Sequence, residues 1–181
     1  MEGLLSGNLL SKANVFGGSV GSNMKPIQRV SSTFTHLGPT TLNLTIPAVN
    51  MTKTIVTVSR QSYAYGERSC IKAKLTSPTN IEVSRVSNEN ANPFVISVLE
   101  FINVKSLQRA DYTLSVTGPV EIAVSPIDPS KSILFISHSH TSGLNSDESE
   151  VIQADILTAS TIGLHIQLAI ANVHWQLIEF F

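Results

Sequence analysis

The chain has 181 residues, enough for one ordinary domain or two small ones. It is 42% hydrophobic and 14% charged, with a formal net charge of -1. This excludes a disordered chain, which needs low hydrophobicity and high charge, and gives no general electrostatic pull toward nucleic acid or an anionic membrane. Average globular chains carry about 25% charged residues, so the low charge suits a protein that buries much of its outside against neighbours. The apolar runs at 54–58 and 132–136 are too short to span a bilayer. The single cysteine, Cys70, cannot form an internal disulfide and reads as a small, half-buried residue. Met1 to Ser6 lack the cationic start and apolar core of a signal peptide, so synthesis in a reducing cytoplasm is expected.

Residues 1–24 differ from the rest. Gly3, Gly7, Gly17, Gly18 and Gly21 alternate with serines and few charges. Glycine raises the entropic cost of ordering, so this stretch has weak intrinsic structure. Leu4, Leu5, Leu9, Leu10, Val15 and Phe16 nevertheless need burial. The expectation is an extended arm that docks these side chains on a partner.

An internal repeat follows. Lys25-Pro26-Ile27-Gln28-Arg29 matches Lys105-Ser106-Leu107-Gln108-Arg109, and Gly38-Pro39 matches Gly118-Pro119 at the same offset. Residues 48–59 match 126–137 once the offset has shrunk by two, which a loop deletion explains. Val98-Leu99-Glu100-Phe101 matches Leu177-Ile178-Glu179-Phe180. Order and spacing are kept at all these places, so the chain divides into 1–24, 25–103 and 104–181.

Each repeat carries β patterning. Leu42, Leu44 and Ile46 alternate with Asn43 and Thr45. Ile55 to Val58 is a β-branched run, with Ile133 to Ile136 as its apolar counterpart. Residues 81–86, 164–168 and 173–180 alternate. Gly38-Pro39, Pro47, Ser77-Pro78, Asn90 to Pro93, Gly118-Pro119 and Asp128-Pro129 punctuate them. No segment carries a helical stripe. The predicted fold is all-β: two tandem β-sandwich repeats of jelly-roll-like form behind an extended N-terminal arm.

The repeat supplies a framework of paired positions: Gln28 and Arg29 with Gln108 and Arg109, Lys53 with Lys131, and Glu100 with Glu179. Gln and Arg at the start of each unit are expected to hold that start, or the seam between units, rather than a substrate. Asn50-Met51-Thr52-Lys53 and Asp128-Pro129-Ser130-Lys131 suit turns, because short polar side chains bond nearby backbone. Lys53 and Lys131 are then solvated strand-entry residues. Trp175 in the closing strand is a core anchor, with carbohydrate stacking as the alternative role. No linker separates Phe101 from the second unit, so the two units are expected to pack as one rigid block.

Site chemistry is sparse. His138 and His140 share one face of a strand and could share a metal, but no third ligand has a fixed spacing, and the first repeat has Arg60 and Ser62 there. There is no nucleophile elbow, phosphate loop or zinc motif, and no paired carboxylates for acid–base work. Neither an enzyme nor a cofactor is expected. Asn43-Leu44-Thr45 and Asn50-Met51-Thr52 match the glycosylation sequon, which matters only in a secretory pathway.

The Lys105 to Arg109 start, the Pro126 to Ser132 turn and the Trp175 to Phe180 ending together resemble small β-rich virion proteins of tailed bacteriophages, of tail-associated or capsid-decoration type. The resemblance spans about residues 25–181 and excludes the arm. It implies a structural protein of the virion, made in the host bacterial cytoplasm, assembling as a homo-oligomer such as a trimer with capsid, tail or baseplate subunits. The strand pattern is also similar to the H-type lectin sandwich, in which a Trp ends the last strand. That likeness implies the alternative of a host-glycan-binding module of the tail.

Overall fold

The computed structural model describes residues 23–60, 70–86, 91–115, 118–140, 152–166 and 170–181. The expected docking residues Leu4, Leu5, Leu9, Leu10, Val15 and Phe16 lie outside them. The first unit contains β1 (Gln28–Phe34), β2 (Thr41–Thr45), β3 (Thr54–Arg60), β4 (Lys72–Ser77), β5 (Asn80–Ser84) and β6 (Asn92–Glu100). The second contains β7 (Val104–Leu114), β8 (Gly118–Ala123), β9 (Ser132–His140), β10 (Gln153–Thr158), β11 (Thr161–Ile166) and β12 (Ala171–Phe180). A 3-10 turn, Pro129–Lys131, leads into β9. Among the described residues no helix is long and apolar enough to cross a membrane.

Both units are wound in the same way. In the first, sheet β1-β6-β3 packs on sheet β2-β5-β4; in the second, β7-β12-β9 packs on β8-β11-β10. First strand pairs with last and second with fifth, as in a jelly roll built from six strands, and all pairs are antiparallel. Alternation decides what each strand buries. In β6, Phe94, Ile96, Val98 and Glu100 point inward and are buried, while Val95, Ser97 and Leu99 on the outer face stay half-exposed. The first core gathers Phe34, Val56, Leu75, Ile81, Val83, Phe94 and Ile96. In the second unit, two clusters centred on Leu164 and Val173 and on Trp175 and Leu177 are joined through Ile122 and Ile136.

The repeated residues make repeated contacts. Glu100 is buried and pairs with Lys25 Nζ at 2.7 Å; Glu179, 1% exposed, pairs with Lys105 Nζ at 2.8 Å. In each unit a lysine at the start, ahead of β1 in the first and at the beginning of β7 in the second, is thereby tied to the end of the last strand. The turn before the third strand is also duplicated. Asn50 Oδ1 accepts from Thr52 N at 2.9 Å and Thr52 Oγ1 at 2.8 Å. Asp128 Oδ1 accepts from Ser130 N at 3.0 Å and Ser130 Oγ at 2.7 Å. Thr54 and Ser132 each close the turn by donating 2.7 Å back to the carbonyl of Asn50 or Asp128. These are the side-chain-to-backbone bonds that make such residues turn formers.

The two Gly-Pro steps have different physical causes. A Cβ on Gly38 would lie 2.1 Å from Thr35 Oγ1, inside the turn closed by Gly38 N to Thr35 O. Gly118 meets nothing within 4 Å, but its φ of +107° is backbone that L side chains rarely adopt.

Candidate functional site: the seam between the repeats

The most elaborate polar constellation among the described residues joins the two units. Its origin is an edge problem: β3 and β4 end their sheets, so their outer N–H and C=O groups have no strand partner. The outer face of β7-β12-β9 supplies the partners. Gln176 Oε1 accepts from Val56 N at 3.0 Å, and its Nε2 donates to Val56 O at 2.8 Å. The Ser137 hydroxyl accepts from Ala73 N and donates to Ala73 O, both at 3.0 Å. Arg109 Nη2 donates to Thr54 O at 2.9 Å and also to Met51 O. Gln176 is fully buried and Ser137 is 4% exposed, so water cannot substitute for either.

The geometry follows from register. Arg109, Gln176 and Phe135 form one cross-strand row on the second sheet; Asp111, His174 and Ser137 form the next. β3 lies along the first row, at Thr54 and Val56, and β4 along the second, at Lys72, Ala73 and Lys74. The edge of the first sandwich therefore runs across the strands of the second. This explains why β12 is buried on both faces: Val173, Trp175 and Leu177 fill its own core, while His174, Gln176 and Ile178 lie on the covered side.

A charge cluster closes one end of the seam. Asp111 Oδ2 lies 3.2 Å from Lys74 Nζ, and Oδ1 lies 3.7 Å from Lys72 Nζ and 3.0 Å from His174 Nδ1. Burial pushes the Asp111 carboxyl up, but Lys72, Lys74 and His174 together outweigh it and hold it below the usual value. Burial lowers His174 despite the opposing pull of Asp111 and so favours the neutral ring, and against a carboxylate oxygen Nδ1 is the donor. Desolvation likewise lowers Arg109. Lys105, ahead of the backbone N–H of Asp128 and the Ser106 hydroxyl, holds Glu179 low against the effect of burial.

The other framework residues are placed as follows. Gln108 forms two bonds with the backbone of Ser125, at 2.9 Å and 2.7 Å, and so fastens β7 to the strand connection. Gln28 stands at the equivalent place, but Pro47 replaces Ser125 and has no N–H; its buried Oε1 has no partner. Arg29 is exposed on the outer face of β1. Lys53 Nζ donates 3.0 Å to Ile102 O in the junction between units, whereas Lys131 is exposed at the end of its turn. Trp175 is 6% exposed and packs with Ile127, Ile162 and Leu177. His138 is half-buried on β9, and the His140 side chain lies outside the description. No group of three His, Cys, Asp or Glu among the described residues is placed to hold a metal.

Sequence reasoning missed Gln176, Ser137 and Asp111, which carry the seam with Arg109. One signal was present: the second unit has His174, Trp175 and Gln176 where the first has Val95, Ile96 and Ser97, a polar outer face beside a larger core residue. No protein-family model, no curated protein and no solved structure matches the chain.

Proposed function

We propose that the chain is a non-enzymatic structural protein of a tailed-bacteriophage virion, built into the head or tail in multiple copies through its N-terminal arm and its sandwich surfaces. The seam is the observation that supports this reading. Two sandwiches locked by buried side-chain-to-backbone bonds make a stiff block, which suits an assembly subunit. The repeat start, turn and ending that resemble virion proteins are here the residues that hold each unit together, such as Lys105 with Glu179 and the Asp128 turn. The glycan-binding alternative is weakened, because the Trp175 ring it would stack on sugar is covered in the core.

The test is composition and place. Particles of the encoding phage, purified to constant infectivity per mass, are digested and quantified by mass spectrometry, and the protein is located by labelled antibody. The expected result is many copies per particle at one fixed position. Absence from washed, intact particles would overturn the reading.

A further inference from the structure

We propose that the second unit's free edge, β9 with β10, docks on the outer face of β1-β6-β3 of a second copy of this chain, repeating between chains the seam that joins the units within one. The contact inside the chain is one-directional: an edge of the first unit lies on a face of the second. Among the described residues the complementary pair, the edge of the second unit and the face of the first, is left over. Such a head-to-tail contact generates rings when the rotation closes.

The leftover face carries the same rows. Arg29, Ser97 and Thr57 are register partners, as are Ser31, Val95 and Ser59. They stand where Arg109, Gln176 and Phe135, and Asp111, His174 and Ser137, stand in the second unit. Arg29 repeats Arg109 and Ser59 repeats Ser137, and both are exposed. Ser97 replaces Gln176, and Ser137 already shows that one hydroxyl can satisfy both backbone groups of an edge residue. The leftover edge is equivalent too. β9 and β10 end their sheets, with Leu134 where Val56 stands and Ala154 where Ala73 stands. Exposed Asp155 takes the place of Lys74, and so falls beside Ser31 and one row from Arg29, a charge of the opposite sign.

The relation between the units favours closure. Phe101 and Phe180 are equivalent residues, yet their rings meet edge-on at 5.2 Å. Asn23 and Asn103 are also equivalent, and Asn103 Nδ2 donates to Asn23 Oδ1 at 3.1 Å. A rotation displaces only points near its axis by so little, and the rise along the axis cannot exceed that displacement. The units are thus related by a rotation with a rise of a few ångströms at most, which meets the condition of low rise that separates a ring from an open helix. This inference does not depend on the virion reading.

The experiment is the mass of the full chain in solution, by native mass spectrometry and sedimentation, for the natural sequence, Arg29→Glu and Asp155→Lys. The natural chain is expected to form a closed oligomer of one discrete size, of two or more chains. Each variant is expected to weaken association about tenfold or more, because each charge reversal sets like charges beside one another across the contact, with thermal unfolding of the separated chain unchanged because both side chains are exposed. A natural chain that stays single at high micromolar concentration would overturn the proposal, as would an oligomer untouched by both variants. So would an oligomer that dissolves only when Leu4, Leu5, Leu9 and Leu10 are changed to Ser in the full chain, since the arm would then be the contact.

Discussion

The side-chain amide of Gln176 takes the place of a neighbouring strand beside Val56, accepting its N–H at 3.0 Å and donating to its C=O at 2.8 Å. One side chain thus ends a sheet that would otherwise offer an open edge, and it does so across 120 residues of sequence.

Gln176→Leu is expected to lower stability by about 2–4 kcal/mol, since two buried backbone groups lose their partners. Denaturant unfolding measures this. A cycle with Ser137→Ala should show coupling, because both side chains hold the same edge. Additivity within error would mean the two contacts form independently.

The pH profile should fall on the acid side. Burial keeps the folded His174 below its ordinary pKa of about 6.5, so below that value the unfolded chain binds the extra proton first and stability drops with pH. Asp111 and Glu179 are held low by their cationic partners and hydrogen bonds. Their contribution is full above the ordinary carboxylate range and is lost as pH falls through their folded values. His174→Gln is expected to flatten the slope between about pH 7 and 5 while leaving the carboxylate slope in place. Melting temperatures across that range decide it.

Trp175→Ala is expected to cost about 3–5 kcal/mol, the usual range for a buried aromatic. A loss below about 1 kcal/mol would place the ring outside the core.

Gln28 and Gln108 should respond in opposite directions to the same change. Gln28→Met removes a buried acceptor that has no donor and is expected to be neutral or to stabilise by about 1 kcal/mol. Gln108→Met removes two bonds to Ser125 and is expected to destabilise by about 1 kcal/mol. Equal losses at both sites would mean that Gln28 makes a bond the geometry does not contain.

Local chemistry was the legible part of this chain. Asn50 and Asp128 announce their turns because the bonding partners sit two residues away. Leu42 and Leu44, or Ile81 and Val83, announce strands because one face meets the core and the other meets water. The strand β4 was harder to read: Lys72-Ala73-Lys74-Leu75 alternates, but both lysines reach Asp111 in the other unit, and Lys74 also pairs with Glu82 beside it. Long-range pairing was not legible at all. The repeated position left Arg109 either at its unit's start or at the seam, because its targets, Met51 O and Thr54 O, are backbone groups that any residue could supply. Gln176 looks like an ordinary surface residue until the edge it covers is in view.

The short junction from Phe101 to Val104 has a consequence for how the block forms. It joins the units beside the Phe101 and Phe180 rings, where their equivalent ends already meet. A short tether at the point of contact makes docking a first-order event, set by local concentration rather than by how much protein the cell holds. The inner seam can therefore close at any dilution, whereas a contact between chains must wait until enough of them have accumulated.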